Sequence, residues 1–386
     1  MADPFKNRFF QRPFFVELAS AVAEGEPSFD RQRFLALVYD EQWDGLELKG
    51  RMRHATEALG QTLPQPYPRA LAILLAIEHH FGGFDHLLFA DFVERYGVDH
   101  FDLSMDALEV LTRSSAEFAV RPFLRRYPDE AFARMLAWTR HESEHVRRLS
   151  SEGCRPRLPW GTALVELKRD PSPILPILER LKDDPSEYVR RSVANNLGDI
   201  AKDHPEQAVD IGERWMAESP SRAPLVKHAL RDLLKKGHRR ALHLFGVGHG
   251  AAVDVDRLSV APKRVPLGGT ATLRVMLRST AKKMQRLRLE YAITYARPSG
   301  RSGRKVFKIA DVDLAPGATL DLSRTLSFVD RTIRTHHPGA HTAALIVNGH
   351  NVGEAAFSLV GAGRPRLRSR HAAAASSSRR TRPSTG

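Results

Sequence analysis

The chain has 386 residues, 42% of them hydrophobic, and a net charge of +14. That length suffices for two or three domains with sizeable cores. No run approaches the roughly 20 apolar residues that a helical membrane span requires. The single cysteine, Cys154, excludes an internal disulfide framework and a Cys-based zinc cluster.

The start, Met1-Ala-Asp-Pro-Phe-Lys-Asn7, lacks the apolar core of a signal peptide. A reducing, cytoplasmic compartment is therefore expected. The basic balance favours an anionic partner, either nucleic acid or an acidic membrane surface. The charge is unevenly spread. Residues 252–361 hold 17 Lys and Arg against 8 Asp and Glu, and residues 362–386 hold seven Arg and no acid. The first 251 residues sum to −2, so any phosphate grip there must come from locally grouped charges.

From Phe14 to Phe245 the apolar residues recur at spacings of three and four, as in Leu71, Leu74 and Leu75. This predicts helix after helix, punctuated by Gly and Pro in a helical-hairpin rhythm. The helices repeat. Ser143-Glu-His-Val-Arg-Arg148 matches Ser186-Glu-Tyr-Val-Arg-Arg191 at an offset of 43, and Leu225-Val-Lys-His-Ala-Leu230 follows 37 further on. Helix-pair periods near about 40 predict a HEAT-like solenoid with a concave binding surface. In this alignment Arg147, Arg190 and Lys227 are equivalent, as are Arg148, Arg191 and His228. One basic residue per repeat would form a stripe suited to a phosphate backbone. A solvated polar face would give the same spacing.

The alignment sets Glu152 against Asn195 and Asp232, with Glu117 one repeat earlier at an offset of 35. Arg113-Ser-Ser-Ala-Glu117 beside Arg148-Leu-Ser-Ser-Glu152 supports the match. Two carboxylates of neighbouring repeats would then share one groove. Acids among phosphate-binding arginines suit the stabilisation of positive charge on a sugar as a glycosidic bond breaks. Asp199, one turn past Asn195, is a third candidate. Simple pairing with Arg113, Arg148 and Arg191 is the alternative.

Next comes Glu152-Gly-Cys-Arg-Pro-Arg-Leu-Pro-Trp160. The residues before its prolines are disfavoured in helix, which predicts a rigid extended link. It presents Arg155 and Arg157 for phosphate contacts and Trp160 as a flat face for a sugar or base. Trp160 could equally be a core residue of the following helix. His141-Glu-Ser-Glu-His145 has the H-E-x-x-H zinc spacing, but the alignment puts His141 ahead of its helix, so a zinc site is not expected. His336, His337 and His341 fall in a Pro/Gly loop and read as solvated or phosphate-contacting.

From Val253 the pattern alternates, as in Thr270–Arg278, Leu287–Ile293 and Ala343–Val347. About seven strand-like runs suit an immunoglobulin-type β-sandwich. Its basic residues cluster in loops: Arg297, Arg301, Arg304 and Lys305 at a Gly-hinged hairpin tip, Lys282-Lys283, and Arg331 with Arg334. Such a hairpin can reach into a DNA groove. Arg364 to Gly386 is expected to be a basic, disordered tail. The expected organisation is thus a repeat domain over 1–250, an accessory sandwich over 251–361 and a tail over 362–386.

The repeats with Glu152–Trp160, Val189-Arg-Arg-Ser-Val-Ala-Asn-Asn-Leu-Gly-Asp199 and the opening Lys6-Asn-Arg-Phe-Phe10 resemble the AlkC branch of the AlkC/AlkD alkylpurine DNA glycosylases. The likeness covers roughly residues 1–250, and the β-region resembles the immunoglobulin-like extension of some members. The resemblance implies a monofunctional glycosylase that removes cationic alkylated bases, chiefly 3-methyladenine, from duplex DNA without swinging the base into a protein pocket. Glu117 and Glu152 would be sugar-facing acids, with Asp199 a third and Trp160 an aromatic wall. Arg148 would fill the gap or steady the kinked duplex. Arg113, Arg147, Arg155, Arg157, Arg190, Arg191, Asn195, Lys227 and His228 would contact DNA. A monomer without cofactor or metal, cytoplasmic and bound to the nucleoid through DNA, is expected. A non-catalytic HEAT-repeat DNA-binding or scaffold protein is the alternative.

Overall fold

The structure is a computed structural model that describes residues 7–248, 250–296, 303–330 and 335–361. The chain divides into two compact units, residues 1–249 and 250–386.

The described residues of the first unit form helices α1 (Arg12–Gly25), α2 (Arg31–Val38), α3 (Leu48–Thr62), α4 (Tyr67–Ile77), α5 (Leu87–Tyr96), α6 (Phe101–Leu111), α7 (Arg121–Arg126) and α8 (Pro128–Trp138). They continue as α9 (Glu144–Gly153), α10 (Val165–Arg169), α11 (Leu175–Leu181), α12 (Glu187–Asp203), α13 (Pro205–Glu218), α14 (Ala223–Ala229), α15 (Arg231–Lys235) and α16 (Arg239–Leu244). The helical period places Val189, Val193, Leu197 and Ile200 of α12 in the core, as it does Val146 and Leu149 of α9. α12 packs against α9, α11, α13 and α14. A missing side chain on α12 lets a neighbouring backbone approach closely: a Cβ on Gly198 would lie 3.0 Å from the Ala229 carbonyl oxygen.

One tie recurs in successive repeats. Arg147 of α9 donates to the carbonyl oxygens of His141 and Glu142, and Arg190 of α12 donates to those of Asp184 and Pro185. Each arginine thus satisfies the carbonyls five and six residues before it, ahead of its own helix. Arg147 also grips the buried Asp184 carboxylate with two hydrogen bonds of 2.6 and 3.0 Å, and Asp184 Oδ1 accepts from the Ser186 amide at the start of α12. Breaking a buried pair from one side strands the other charge. Arg147→Met is expected to destabilise the helical unit by about 3 kcal/mol, seen as an earlier denaturant midpoint. An unchanged midpoint would dismiss this tie.

The second unit is a β-sandwich. Its strands are β1 (Val253–Ala261), β2 (Arg264–Pro266), β3 (Thr270–Ser279), β4 (Gln285–Tyr295), β5 (Gly303–Leu314), β6 (Thr319–Ser327), β7 (Gly339–Val347) and β8 (His350–Val360). One sheet has the order β1-β3-β6 and the other β2-β8-β7-β4-β5. The pairings are antiparallel except β2 with β8. Alternating residues such as Leu273, Val275, Leu277, Leu287, Leu289 and Leu345 fill the space between the sheets, as the period-2 pattern requires.

Two sequence expectations are corrected here. His336 and His341 are buried against Phe328 and Tyr295, so they belong to the sandwich interior rather than to a solvated loop. Arg304 and Lys305 are not at a loop tip: they lie in β5, paired with Thr294 and Ile293 of β4. Arg297, Arg301, Arg331, Arg334 and the segment 362–386 lie outside the described residues.

Candidate active site

α9 carries Arg148 and Glu152 one helical turn apart, and α12 carries Ser192 and Asp199. Glu117 comes from the turn between α6 and α7. Sequence alignment made Glu117 the counterpart of the helical Glu152. The residues Thr112–Ser115, with Ser115 at φ +125°, end α6 first and leave Glu117 outside any helix.

These residues form a chain of alternating charge. Arg148 lies 3.4 Å from Glu117 Oε1 and 3.7 Å from Glu152 Oε1. Arg155 Nη1 donates to Glu152 Oε1 at 2.6 Å, and its Nε donates to Asp199 Oδ2 at 2.9 Å. Lys202 closes the far end on Asp199 Oδ1 at 2.9 Å. Ser192 donates its hydroxyl to Glu152 Oε2 at 2.7 Å. The guanidinium of Arg148 also covers the ring of Tyr188 at 4.6 Å. Burial opposes charge on Arg148 and Arg155, and the adjoining carboxylates outweigh it, so both pKa values lie above the ordinary arginine value.

The three acids differ in what remains open. Glu152 and Asp199 have both oxygens occupied. Glu117 is only 7% exposed, and its Oε2 has no hydrogen-bond partner among the described residues. A buried carboxylate oxygen without a donor is costly and calls for an explanation.

The link after Glu152 is fixed largely from α7. The buried Arg121 donates to the carbonyl oxygens of Gly153, Arg155 and Thr162, and Arg125 donates to that of Ala163. Burial lowers the Arg121 pKa to about 10, which still leaves it charged at neutral pH. Trp160 emerges from the link 59% exposed. Trp160 is therefore not a core side chain. Burial pushes the Cys154 thiol up to about 12, so it is an inert packing group.

The arginines expected on DNA separate into two sets. Arg155 is a strut between two acids. Arg157 grips Asp203 through two hydrogen bonds. Arg113 donates to the Glu78 carboxylate and to the carbonyls of Glu78 and Phe81. Arg147 ties its repeat to the next through Asp184, and Arg190 caps carbonyls ahead of its own helix. Arg191 is exposed and, among the described residues, pairs with Glu187 one turn away, and His228 Nε2 meets Asn195 Oδ1 at 2.9 Å. Arg190, Arg191 and His228, with Pro224 and Leu225, line a surface cavity of about 280 Å³. Lys227 lies 5.7 Å from the Phe245 ring. His141 precedes α9, where its Nδ1 accepts from the Ser143 amide.

Some residues of this site were not singled out from sequence. Tyr188 and Ser192 had a signal: they occupy the repeat positions of His145 and Leu149, so an aromatic and a hydroxyl replace residues of other types. Arg121, Lys202 and Lys49, whose Nζ donates to the Trp160 carbonyl oxygen, had none.

Together these features define a HEAT-repeat protein with an immunoglobulin-like extension and a buried acid–arginine site. Residues 174–204 match the HEAT repeat family, and residues 254–361 match the family described as "Uncharacterised protein YhaZ, C-terminal Ig-like domain". The chain is 44% identical over 350 residues to "Uncharacterized protein YhaZ" of Bacillus subtilis (strain 168), covering 90% of this chain and 97% of that protein. It is also similar to the Pseudomonas fluorescens alkylpurine DNA glycosylase AlkC, solved bound to DNA containing an abasic-site analogue. That likeness has a TM-score of 0.87 at 40% identity, over 93% of this chain and all of that one. The chain belongs to the AlkC family of alkylpurine DNA glycosylases.

Proposed function

We propose that this protein is a monofunctional glycosylase that excises cationic N-alkylated bases, chiefly 3-methyladenine, from duplex DNA. The observation that carries the reading is Glu117, a buried carboxylate with one unpartnered oxygen at the end of a fixed chain of charges. N3-alkylation makes adenine cationic and already a good leaving group, so little acid catalysis is needed. As the C1′–N9 bond breaks, the electron pair leaves with the base and positive charge develops on the sugar. The preorganised carboxylates stabilise that charge. The Glu117 carboxylate accepts a proton from the water that attacks C1′, giving the free base and an abasic site. No step requires the base to enter a protein pocket. Arg148 and Arg155 hold the acids in place through hydrogen bonds and ion pairs, and the exposed Arg191 and His228 supply the backbone grip. The β-sandwich, residues 251–361, adds DNA contacts through exposed basic residues such as Lys282, Lys283, Arg304 and Lys305. The protein acts as a monomer.

Trp160 supplies the aromatic face beside the sugar. Base–aromatic stacking contributes about 1–3 kcal/mol. Trp160→Ala is therefore expected to weaken binding to a duplex carrying an alkylated base at least about fivefold, measured by fluorescence anisotropy of labelled DNA. Unchanged affinity would remove the indole from the site.

The function itself is tested by incubating the full chain with methylated duplex DNA and resolving the released bases by chromatography. Free 3-methyladenine above the spontaneous rate supports the reading. Tight, salt-dependent binding without release would make the protein a DNA-binding scaffold whose acids are structural.

A further inference from the structure

Trp160 has φ +65°, in the left-handed region where a bulky side chain crowds its own backbone. Such strain persists only where surrounding groups hold it. Arg121 and Arg125 anchor the link on both sides of Trp160, at Gly153, Arg155, Thr162 and Ala163. The Trp160 peptide is held from elsewhere. Lys49, on α3 and 111 residues away in sequence, donates from Nζ to the Trp160 carbonyl oxygen at 2.9 Å. The same ammonium lies 5.2 Å from the centre of the Phe118 ring, and Phe118 directly follows Glu117. Lys49 therefore bridges the peptide that carries the exposed indole and the turn that carries the open carboxylate. No other described side chain donates to that carbonyl.

We propose that Lys49 is a positioning residue for base excision: by donating to the Trp160 carbonyl while its ammonium rests over the Phe118 ring, it fixes the indole in register with Glu117. The inference rests on the glycosylase reading for its kinetic consequence, but not for its structural one. Without the ammonium, the Trp160 peptide loses its donor and relaxes toward ordinary backbone conformations, and the indole swings. Lys49 sits on the surface of α3, so its replacement leaves the helical core intact. A longer cation that can still reach the carbonyl restores the hold.

The test compares the full-length wild type with Lys49→Met, Lys49→Arg, Trp160→Ala and the Lys49→Met/Trp160→Ala double variant. Two readouts are used: single-turnover release of 3-methyladenine and the anisotropy of the Trp160 emission. The indole signal is obtained by difference from Trp160→Phe, which removes the background of the buried Trp43, Trp138 and Trp215. Lys49→Met is expected to lower the release rate roughly tenfold, the size of one charge-assisted hydrogen bond, and to lower the indole anisotropy. Lys49→Arg recovers most of both. On the Trp160→Ala background, Lys49→Met changes release by less than about twofold, because residues acting through one another are not additive.

Unchanged indole anisotropy in Lys49→Met overturns the proposal whether or not the protein excises bases. Fully additive losses in the double variant also overturn it, by assigning Lys49 a contact of its own with DNA. Absence of base release by the wild type sinks the glycosylase reading alone, and the anisotropy then judges Lys49 by itself.

Discussion

Glu117→Gln is expected to slow base release by a factor of about 10²–10³, the usual effect of removing one preorganised electrostatic group from a transition state. The substitution keeps the shape of the side chain and its contact with Arg148, and removes the negative charge and the proton acceptor. Binding to an abasic-analogue duplex should hold or tighten, because the lost charge repelled phosphate. Single-turnover release and duplex affinity, measured on the same preparation, separate these effects. Loss of binding in step with release would make Glu117 a structural residue. Unchanged release would move the chemistry to Glu152 or Asp199, whose oxygens are already occupied.

Arg155→Met is the second large effect, and it falls on stability. Arg155 is buried between Glu152 and Asp199, with a hydrogen bond to each. Removing it leaves two nearly buried carboxylates facing each other with fewer donors. The expected cost is about 3–5 kcal/mol, read from denaturant unfolding. Combining Arg155→Met with Glu152→Gln should recover part of the loss, since one stranded charge is then gone. The two losses summing without any recovery would falsify the strut. Excision should fall as well, because both acids lose their fixed positions.

The sequence was most legible where a fold repeats itself. The offset of 43 correctly paired Arg147 with Arg190: both cap carbonyls five and six residues upstream. It did not show that Arg147 also ties its repeat to the next, because the Asp184 carboxylate that does so is 37 residues away. Arg155 reads as a phosphate contact in isolation. Only the approach of α12 to the end of α9 turns it inward to Asp199. His336 and His341 sit among Pro and Gly in sequence, and the closure of two sheets buries them.

The candidate acids show the same division. Glu117, Glu152 and Asp199 were visible as carboxylates at repeat-equivalent or neighbouring turns. Their order of availability was not visible, since it depends on which oxygens meet Arg148, Arg155, Ser192 and Lys202. Lys49 gave no signal at all: its partner is a backbone carbonyl 111 residues further along the chain, and a carbonyl has no side-chain identity to read.

By itself, the sequence determined the helical repeat, the change to alternating strands near Val253, and a cluster of acids, arginines and an aromatic around Glu152–Trp160. Local periodicity and turn chemistry act between neighbouring residues and are therefore written in the order of the chain. The tertiary structure alone decided which charges pair, which carboxylate oxygen stays open and why Trp160 stands exposed. Those outcomes depend on distances between segments far apart in sequence, where burial makes each pairing strong and each omission costly.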